Sequence, residues 1–392
     1  MMKRKTKTLL MAAFLGGTLS VSAQRLATHD ASAANKGVAA TPVDQQATSQ
    51  TQDLYNLLYN NYGQQIMTCS MANPVWDYDI AQHVKTLTGQ WPAIHCFDLM
   101  HLCYSPADWI NYSDITPVKE WHQKGGCVAL MWHWQVPTVF SGSSAGNVTY
   151  TSTASETAFS PANILTEGSW EHRLFYEDLY ETYTVIKQLQ DAGIPVIWRP
   201  LHEAAGNAPK GGQAWFWWGK DGADVFRQLW RRMYDYFQER DIHNLIWVWT
   251  SCDADGDWFP GDSYVDIIGT DIYDKDIHAV KARYEELQSR YPSHMLALSE
   301  CGKVPYITIQ RQEGVLWAWA MPWYNADGTT WVTDAWWKDA VRNYASGIRT
   351  VSSSPADITP TATYTLDGRP ANHATHGLRI VRMSDGTVRK AL

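Results

Sequence analysis

The chain has 392 residues, a formal net charge of −8 and no cluster of Lys or Arg beyond residue 7. Nucleic acids and anionic membrane surfaces bind basic patches, so neither is an expected partner. One stretch of apolar periodicity, residues 53–350, is long for a single core but ordinary for an α/β barrel.

Residues 1–23 have the pattern of a secretory signal peptide. Basic residues at positions 3, 4, 5 and 7 precede a short apolar run, and small side chains end at Ala23. That run is too short to span a bilayer, and no later segment is long and apolar enough to do so. We therefore expect an exported protein, periplasmic, secreted or at the cell surface. Residues 24–52 are polar and are predicted to form a mobile lead-in.

Two features of the composition bear on function. The chain contains 21 Trp and 20 Tyr against 9 Phe. Indole rings cover apolar surface and keep a polar edge, which suits the apolar faces of sugars, although most of these residues are expected to pack in the core. The six cysteines form no CxxC pair; we expect buried free thiols, with a Cys96–Cys103 disulfide as the alternative.

Eight apolar segments in succession predict β-strands. Several are continuous apolar runs rather than alternating ones, as expected for strands covered on both faces. The predicted strands are residues 66–71, 93–99, 127–133, 194–198, 244–250, 265–272, 295–299 and 314–321.

Helical patterns lie between these strands. The residues that share a predicted helical face are Phe175, Leu179, Tyr183, Ile186 and Leu189 in one segment and Phe226, Leu229, Met233 and Phe237 in the next, and residues 335–344 predict the last helix. Eight strand–helix units predict a (β/α)8 TIM barrel over residues 53–350. The alternative, an open doubly wound sheet, is disfavoured because no glycine-rich phosphate loop follows the first strand.

The C-terminal part is predicted to be separate from the barrel. Residues 351–361 are rich in Ser, Thr and Pro and predict a linker. Residues 362–392 predict a small β tail, with strands at 363–369 and 377–383 and a hairpin turn at 384–386. This tail resembles the short C-terminal tails of exported Bacteroidetes proteins, some of which are sorting signals; a hairpin packed on the barrel is the alternative.

Two of the predicted strands end in a carboxylate. Glu203 follows the fourth predicted strand and Glu300 the seventh. Ligands bind at the carboxyl ends of the strands in parallel α/β folds, and in a barrel these two strands lie on opposite sides of the mouth. Two facing carboxylates are what cleavage of a glycosidic bond requires, one as acid/base and one as nucleophile.

The segments around these carboxylates resemble glycoside hydrolase family 26, the family of many β-mannanases. Residues 199–203 (Arg-Pro-Leu-His-Glu), followed by 215–219 (Trp-Phe-Trp-Trp-Gly), look like its signature. Residues 132–133 (Trp-His), 271–273 (Asp-Ile-Tyr) and 299–302 (Ser-Glu-Cys-Gly) match its other motifs in order. The resemblance covers residues 60–350 and implies a (β/α)8 barrel that hydrolyses with retention of configuration.

This resemblance implies that Glu203 is the acid/base and Glu300 the nucleophile. The acid/base must start protonated, which requires a raised pKa, and the nucleophile must start ionised, among hydrogen-bond donors. Arg199 is expected deeper on the same strand face as Glu203, where it can hold the Glu300 carboxylate. Tyr273, at the end of the sixth strand, is expected to donate to Glu300, and Asp271 to support this network.

Four further residues are expected to bind the substrate. His133 and His202 are expected to contact the sugar, or in the case of His202 the nucleophile; a role in the core is the alternative for both. Trp215 and Trp323 are expected to stack on sugar rings. Alternation along residues 317, 319, 321 and 323 predicts four side chains on one strand face, with Trp323 nearest the rim.

One loop departs from the family pattern. Residues 204–214 separate Glu203 from Trp215, a gap that is often shorter in the family. The loop borders the leaving-group side, where we expect it to narrow the cleft or to add a contact from Asn207 or Lys210. Residues 140–156, rich in Ser, Thr and Gly, predict a second rim loop.

These observations predict an exported retaining hydrolase that cleaves β-1,4-mannan or manno-oligosaccharides within the chain. Two alternatives stay open: the same fold and mechanism on another β-glycan, such as xylan or mixed-linkage glucan, and a non-catalytic glycan-binding protein. The second would have no need of both carboxylates. No cofactor is expected, and no His, Asp and Glu at metal-ligand spacing predict a metal.

Overall fold

The structure, a computed structural model, describes residues 37–73, 75–103, 110–140, 149–325 and 328–343, together with the backbone of three strands in the tail. The predicted signal peptide (residues 1–23), the first part of the lead-in (24–36) and residues 351–359 of the predicted linker lie outside the described residues.

Eight parallel strands close into a barrel, and the predicted (β/α)8 fold is thereby confirmed. The barrel strands are β1 (Met67–Met71), β2 (Ile94–Asp98), β3 (Cys127–Trp132), β6 (Val196–Pro200), β7 (Leu245–Ser251), β8 (Ile267–Tyr273), β9 (Met295–Gly302) and β10 (Trp319–Pro322). Each pairs with the next barrel strand along the chain, and β10 pairs with β1. Most strand residues are buried because side chains fill the barrel on one face and meet helices on the other.

The helices surround the barrel. They are α1 (Ser49–Asn61), α2 (Asp79–Thr88), α3 (Thr116–Gln123), α4 (Trp170–Asp191), α5 (Ala223–Gln238), α6 (Ile277–Arg290), α7 (Ile307–Gln312) and α8 (Asp334–Arg342). The Ser169 side chain caps the N-terminus of α4 by accepting a hydrogen bond from the His172 amide. Just after the C-terminus of α4, Gly193 adopts a left-handed conformation with a φ of 73°. The predicted faces of α4 and α5 are buried, except that Tyr183 is only half-buried.

The prediction for the last barrel strand was wrong at its N-terminal side. Residues 314–318 form the turn after α7, where the Val315 amide donates to the Gln310 carbonyl, and β10 starts only at Trp319. The Trp317 indole donates to the Gln310 side chain and packs edge-on against Tyr284 of α6, with ring centroids 4.8 Å apart. Trp317 therefore packs among the outer helices and does not share a strand face with Trp323.

The lead-in was also predicted incorrectly from residue 37 onward. Asp44 is buried and its carboxylate lies 2.9 Å from His243 Nδ1, while the Val43 amide donates to Asp266 at 2.7 Å. The Thr48 hydroxyl caps α1. Polar composition predicted a mobile segment, but these polar groups are used in specific hydrogen bonds to the bottom of the barrel.

A two-stranded sheet follows β3 and partly overlaps the predicted second rim loop, residues 140–156. It consists of β4 (Val136–Pro137) and β5 (Tyr150–Thr151), which pair antiparallel. Residues 141–148 lie outside the described residues.

The tail forms a three-stranded antiparallel sheet of β11 (Pro360–Thr365), β12 (Arg379–Met383) and β13 (Val388–Ala391), in that order. The first two strands overlap the predicted ones, whereas the third was not predicted. The predicted turn at 384–386 lies outside the described residues.

The six cysteines are free thiols, so the alternative of a Cys96–Cys103 disulfide does not hold. In the described ranges, no helix combines the length and the apolar character that crossing a bilayer requires.

Candidate active site

Three barrel strands carry a buried ion-pair network at their carboxyl ends. Arg199 of β6 donates from Nη1 to Glu300 Oε1 of β9 and from Nη2 to Asp271 Oδ2 of β8, each at 2.6 Å. Its Nε donates to the Thr250 hydroxyl of β7 at 2.8 Å. All three charged side chains are at most 7% exposed. The guanidinium is thus fixed on three sides, and it fixes one oxygen of Glu300 in turn.

A β-bulge at Ser299 brings two consecutive side chains of β9 into this network. Thr270 of β8 is opposite Leu298, but the next residue, Asp271, is opposite Glu300, so Ser299 is the extra residue. The Ser299 hydroxyl donates to Asp271 Oδ1 at 2.8 Å while Glu300 accepts from Arg199. Successive residues of a regular strand would point to opposite faces, and the bulge removes that restriction.

Glycine at position 269 makes room for the bulge. A Cβ atom there would lie 2.5 Å from Ser299 Oγ and 3.0 Å from its Cβ, closer than real contacts allow. The side-chain-free position on β8 therefore permits the Ser299 hydroxyl to reach Asp271.

Tyr273 holds the second oxygen of Glu300. Its hydroxyl donates to Oε2 at 2.8 Å, so the predicted contacts of Arg199 and Tyr273 with Glu300 are present, and they use different oxygens. The Tyr273 ring packs edge-on against Trp331, with centroids 5.4 Å apart. Gly302 allows this approach, because a Cβ there would lie 2.7 Å from Trp331 and 2.8 Å from Tyr273.

Glu203 lies past the end of β6 in a tight turn. Leu201 and Glu203 both have a φ of 49°, a left-handed conformation that is uncommon for residues with a side chain. Glu203 therefore does not continue the regular strand, and the prediction that it shares a strand face with Arg199 was wrong. The turn nevertheless places Glu203 in the same cleft as Asp271, and the two carboxyls interact electrostatically.

The environment of Glu203 favours its protonated form. Burial raises the pKa of Glu203, and the negative charges of Asp271 and Glu300 raise it further, against an opposing effect of Arg199. Burial also raises the pKa of Asp271, with Arg199 opposing.

Two histidines form the neighbouring wall of the site. His133 Nδ1 lies 2.6 Å from Asp98 Oδ2, and although burial lowers the pKa of His133, Asp98 raises it above its usual value. The His202 ring packs edge-on against His133 at 4.4 Å. Burial, with the charges of His133 and Arg199, lowers the pKa of His202 well below its usual range, so His202 is neutral.

The two predicted stacking residues have different neighbours in the site. Trp323, directly after β10, is half-buried and its ring centroid lies 5.7 Å from that of His133. Trp215 is 41% exposed and, with Glu203 and Asp271, lines a cleft with about 420 Å³ of empty space that opens to solvent. Of the residues that follow Trp215 in its sequence motif, Phe216 packs against His202 with ring centroids 4.8 Å apart, and Trp217 and Trp218 are buried.

Several contributors to the site were not predicted from the sequence. Asp98, Thr250, Ser299 and Trp331 hold His133, Arg199, Asp271 and Tyr273 respectively. Asp98 is a carboxylate at the end of an apolar strand. The same pattern identified Glu300, so Asp98 could have been predicted from the sequence. The others act through a bulge or a long-range contact that no local pattern reveals.

Within the described part of the chain, no group of three or more His, Cys, Asp or Glu side chains is arranged to hold a metal ion.

The model of one protein family, "Glycosyl hydrolase family 26", matches residues 43–351. The chain belongs to glycosyl hydrolase family 26. The matched region includes the barrel, all the site residues named above and residues 43–52 of the lead-in.

Curated relatives of this chain are mannan endo-1,4-β-mannosidases. A mannan endo-1,4-β-mannosidase of Thermothelomyces thermophilus is 31% identical over 297 residues, which are 74% of this chain and 58% of that protein. Mannan endo-1,4-β-mannosidase A of Piromyces sp is 30% identical over 294 residues, 72% of this chain and 45% of that protein. The chain thus spans about half the length of these curated relatives.

A solved structure of the family 26 domain of an endo-β-mannanase/endo-β-glucanase from Prevotella bryantii superposes with a TM-score of 0.71. It is 39% identical and covers 79% of this chain and 97% of that domain.

Proposed function

We propose that this protein is a retaining endo-acting hydrolase of β-1,4-mannosidic bonds in mannan-type polysaccharides. The curated relatives named above are mannan endo-1,4-β-mannosidases. The proposal assigns Glu300 as the nucleophile and Glu203 as the acid/base.

One observation carries this proposal: two hydrogen-bond donors hold the Glu300 carboxylate, whereas burial and neighbouring negative charges surround Glu203. Glu300 accepts hydrogen bonds on both oxygens, from Arg199 and from Tyr273, as a carboxylate anion does. Burial and the negative charges of Asp271 and Glu300 raise the pKa of Glu203, which favours the protonated acid. A retaining glycosidase needs one ionised and one protonated carboxyl at the start of the reaction.

In the first step, Glu300 attacks the anomeric carbon and Glu203 gives its proton to the leaving oxygen. A covalent bond forms between Glu300 and the sugar, and the glycosidic bond breaks. Arg199 and Tyr273 fix the attacking carboxylate, so the reacting oxygen does not have to be oriented during the reaction.

In the second step, Glu203 acts as the base. Formation of the ester neutralises Glu300, whose negative charge is one of the causes that raise the pKa of Glu203. The pKa of Glu203 therefore falls when the intermediate forms, and the deprotonated carboxylate can accept a proton from water. Water attacks the anomeric carbon from the face that the leaving group vacated, which restores the original configuration.

The histidines and Trp323 are assigned to the sugar that becomes attached to Glu300. His202 is 1% exposed and packs edge-on against His133, so its ring supports the wall that His133 forms. Trp323 provides the aromatic face next to His133.

A second candidate substrate is another β-glycan. The Prevotella bryantii protein with 39% identity in its family 26 domain is described as both an endo-β-mannanase and an endo-β-glucanase. The fold and site chemistry of the present chain would be unchanged, because the two carboxyls act on the bond and not on the hydroxyl pattern of the sugar.

The test is a panel of β-glycans (mannan, glucomannan, xylan and mixed-linkage glucan) with reducing ends measured over time and the first product followed by proton NMR. We expect mannans to be cleaved fastest, with fragments of several lengths early in the reaction and the β-anomer of the new reducing end appearing first. Activity on xylan or glucan alone would show that the substrate is another β-glycan. Release of the α-anomer first would show that the enzyme inverts the configuration. Binding without cleavage would support a non-catalytic glycan-binding protein.

We also propose that the chain is exported, on the strength of the basic and apolar pattern of residues 1–23. Cell fractionation with an antibody against the barrel tests this, and protein confined to the cytoplasm would contradict it.

A further inference from the structure

An ion pair closes one side of the cleft next to Glu203. Lys210 Nζ lies 2.5 Å from Asp253 Oδ2, which links the loop after β6 to the loop after β7. Both residues line the same cleft as Glu203 and Trp215. Their side chains are 56% and 63% exposed, so both charged groups are accessible to a ligand in that cleft.

The Asp253 side of this pair is held rigidly. The preceding residue, Cys252, donates its amide to the Asp255 carboxylate at 2.5 Å, and the carbonyls of Ser251 and Cys252 accept from Arg283 at 2.9 and 2.8 Å. The loop after β7 therefore presents Asp253 from a fixed backbone.

The Lys210 side belongs to the loop of residues 204–214. A 3-10 turn, Ala208–Lys210, ends at Gly211, which has a φ of 80°. The Gly206 and Gly212 amides donate to the carbonyls of Glu203 and Asn207 respectively, so the loop folds back on itself. This compact turn brings Lys210 to Asp253.

The pair has unused hydrogen-bonding capacity. An ammonium group has three N–H donors, and the Asp253 interaction uses one. The second Asp253 oxygen accepts from no donor among the described residues, and a carboxylate can accept on both. An adjacent donor and acceptor match two neighbouring hydroxyls of a pyranose ring, while the Trp215 indole offers a face for the ring itself.

The position of the cleft relative to the two carboxyls identifies which sugar it would take. The sugar that becomes bonded to Glu300 must lie over Glu300. The sugar that leaves is attached to the oxygen that Glu203 protonates, and it therefore extends past Glu203. The cleft that contains Trp215, Lys210 and Asp253 lies beside Glu203.

We propose that Lys210 and Asp253 form a specificity-determining subsite on the leaving-group side, where they bind neighbouring hydroxyls of the sugar next to Trp215. This inference rests on the proposed function. Because the pair binds only a sugar on that side, it affects substrates with a sugar leaving group and not those with an aryl leaving group.

The experiment compares kcat/KM for mannotetraose with kcat/KM for an aryl β-mannobioside. The variants are Lys210→Met, which keeps the apolar stem, and Asp253→Asn, which keeps the shape. Lys303→Met is the matched control, because Lys303 forms an equally exposed ion pair with Asp274 at 3.0 Å between two other rim loops. Exposed ion pairs contribute little to stability, and thermal unfolding checks that the variants are folded.

We expect the ratio of the two kcat/KM values to fall about ten- to a hundred-fold in Lys210→Met and Asp253→Asn, the loss typical of a hydrogen bond to a charged group. We expect it to stay within about two-fold of wild type in Lys303→Met. The same two variants should transfer less sugar to an added mannobiose acceptor relative to water, since the acceptor occupies this subsite.

An unchanged ratio in both variants would overturn the inference. So would an equal loss on both substrates, which would mean that the loop only positions Glu203, or an equal loss in Lys303→Met. Failure of the wild-type protein to cleave either substrate would instead contradict the proposed function.

Discussion

Asp271→Asn should move the alkaline limb of the pH–rate profile to lower pH. After burial, the negative charge of Asp271 is the largest cause that raises the pKa of Glu203. The first step needs protonated Glu203, so kcat/KM falls as the pH rises through that pKa. A neutral amide in place of the Asp271 carboxylate would remove the charge, lower the pKa of Glu203 and deprotonate the acid at a lower pH.

The size of the effect follows from the contact between the two carboxyls. Two unit charges about 4 Å apart interact by about 4 kcal/mol at an effective dielectric constant of about 20. With about 1.4 kcal/mol per pH unit, the ceiling is about three pH units. The amide oxygen of asparagine can still accept a hydrogen bond from Glu203, which preserves part of the stabilisation of the protonated acid. We therefore expect a displacement of about one to two pH units.

The assay is kcat/KM for a soluble manno-oligosaccharide as a function of pH. Tyr273→Phe is the control, because it removes a neutral partner of Glu300 and leaves the charges around Glu203 in place. Asp271→Asn also leaves Arg199 with one charged partner fewer, which lowers kcat/KM at every pH. The pH at which kcat/KM begins to fall does not depend on its maximum value. A limb that stays in place in Asp271→Asn, or moves equally in Tyr273→Phe, would refute the reasoning.

Three further outcomes are expected. Tyr273→Phe should lower turnover about ten- to a hundred-fold, as loss of a hydrogen bond to a charged group does, with little change in the unfolding temperature; unchanged turnover would remove Tyr273 from the mechanism. Gly269→Ala should destabilise the fold by about 1–3 kcal/mol in thermal unfolding, because its Cβ would meet Ser299 Oγ at 2.5 Å, and adding Ser299→Ala should recover part of the loss; a single variant as stable as wild type would contradict the tight packing. In a crystal structure the carboxyls of Glu203 and Glu300 should be about 5–5.5 Å apart, and a separation of about 9 Å would indicate inversion.

The barrel was predictable because its strands are continuous apolar runs at regular spacing. Such runs form only where both faces are covered, and the carboxyl ends of parallel strands then meet on one rim. That argument is enough to bring Glu300, Asp271 and Tyr273 together. The contacts of Arg199 and Tyr273 with Glu300 follow from it and are present in the structure.

Other features depend on departures from regular geometry that the residue pattern does not encode. The bulge at Ser299 inserts one residue into β9, and the left-handed turn at Leu201 and Glu203 replaces strand alternation. Trp317 follows the alternating pattern but belongs to the turn after α7, because a hydrogen bond to Gln310 holds it there. Each of these depends on a partner distant in sequence or on a backbone conformation that many residue types can adopt.

The lead-in shows the limit of composition as a guide. Polar residues predict a mobile segment only when their hydrogen bonds are to water. Here Asp44 bonds His243 and the Val43 amide bonds Asp266, so the same polar groups order residues 37–48.

The central claim, that Glu300 is the nucleophile and Glu203 the acid/base, is tested most directly by substituting each with alanine and adding azide to an aryl β-mannoside with a good leaving group. Glu203→Ala should still form the glycosyl-enzyme, because a good leaving group needs no proton, and azide should release it as the β-mannosyl azide. Glu300→Ala should not turn over any β-mannoside in the absence of azide, since no covalent intermediate can form. If the products were exchanged, with the β-azide from Glu300→Ala and the α-azide from Glu203→Ala, the roles assigned to the two residues would be contradicted.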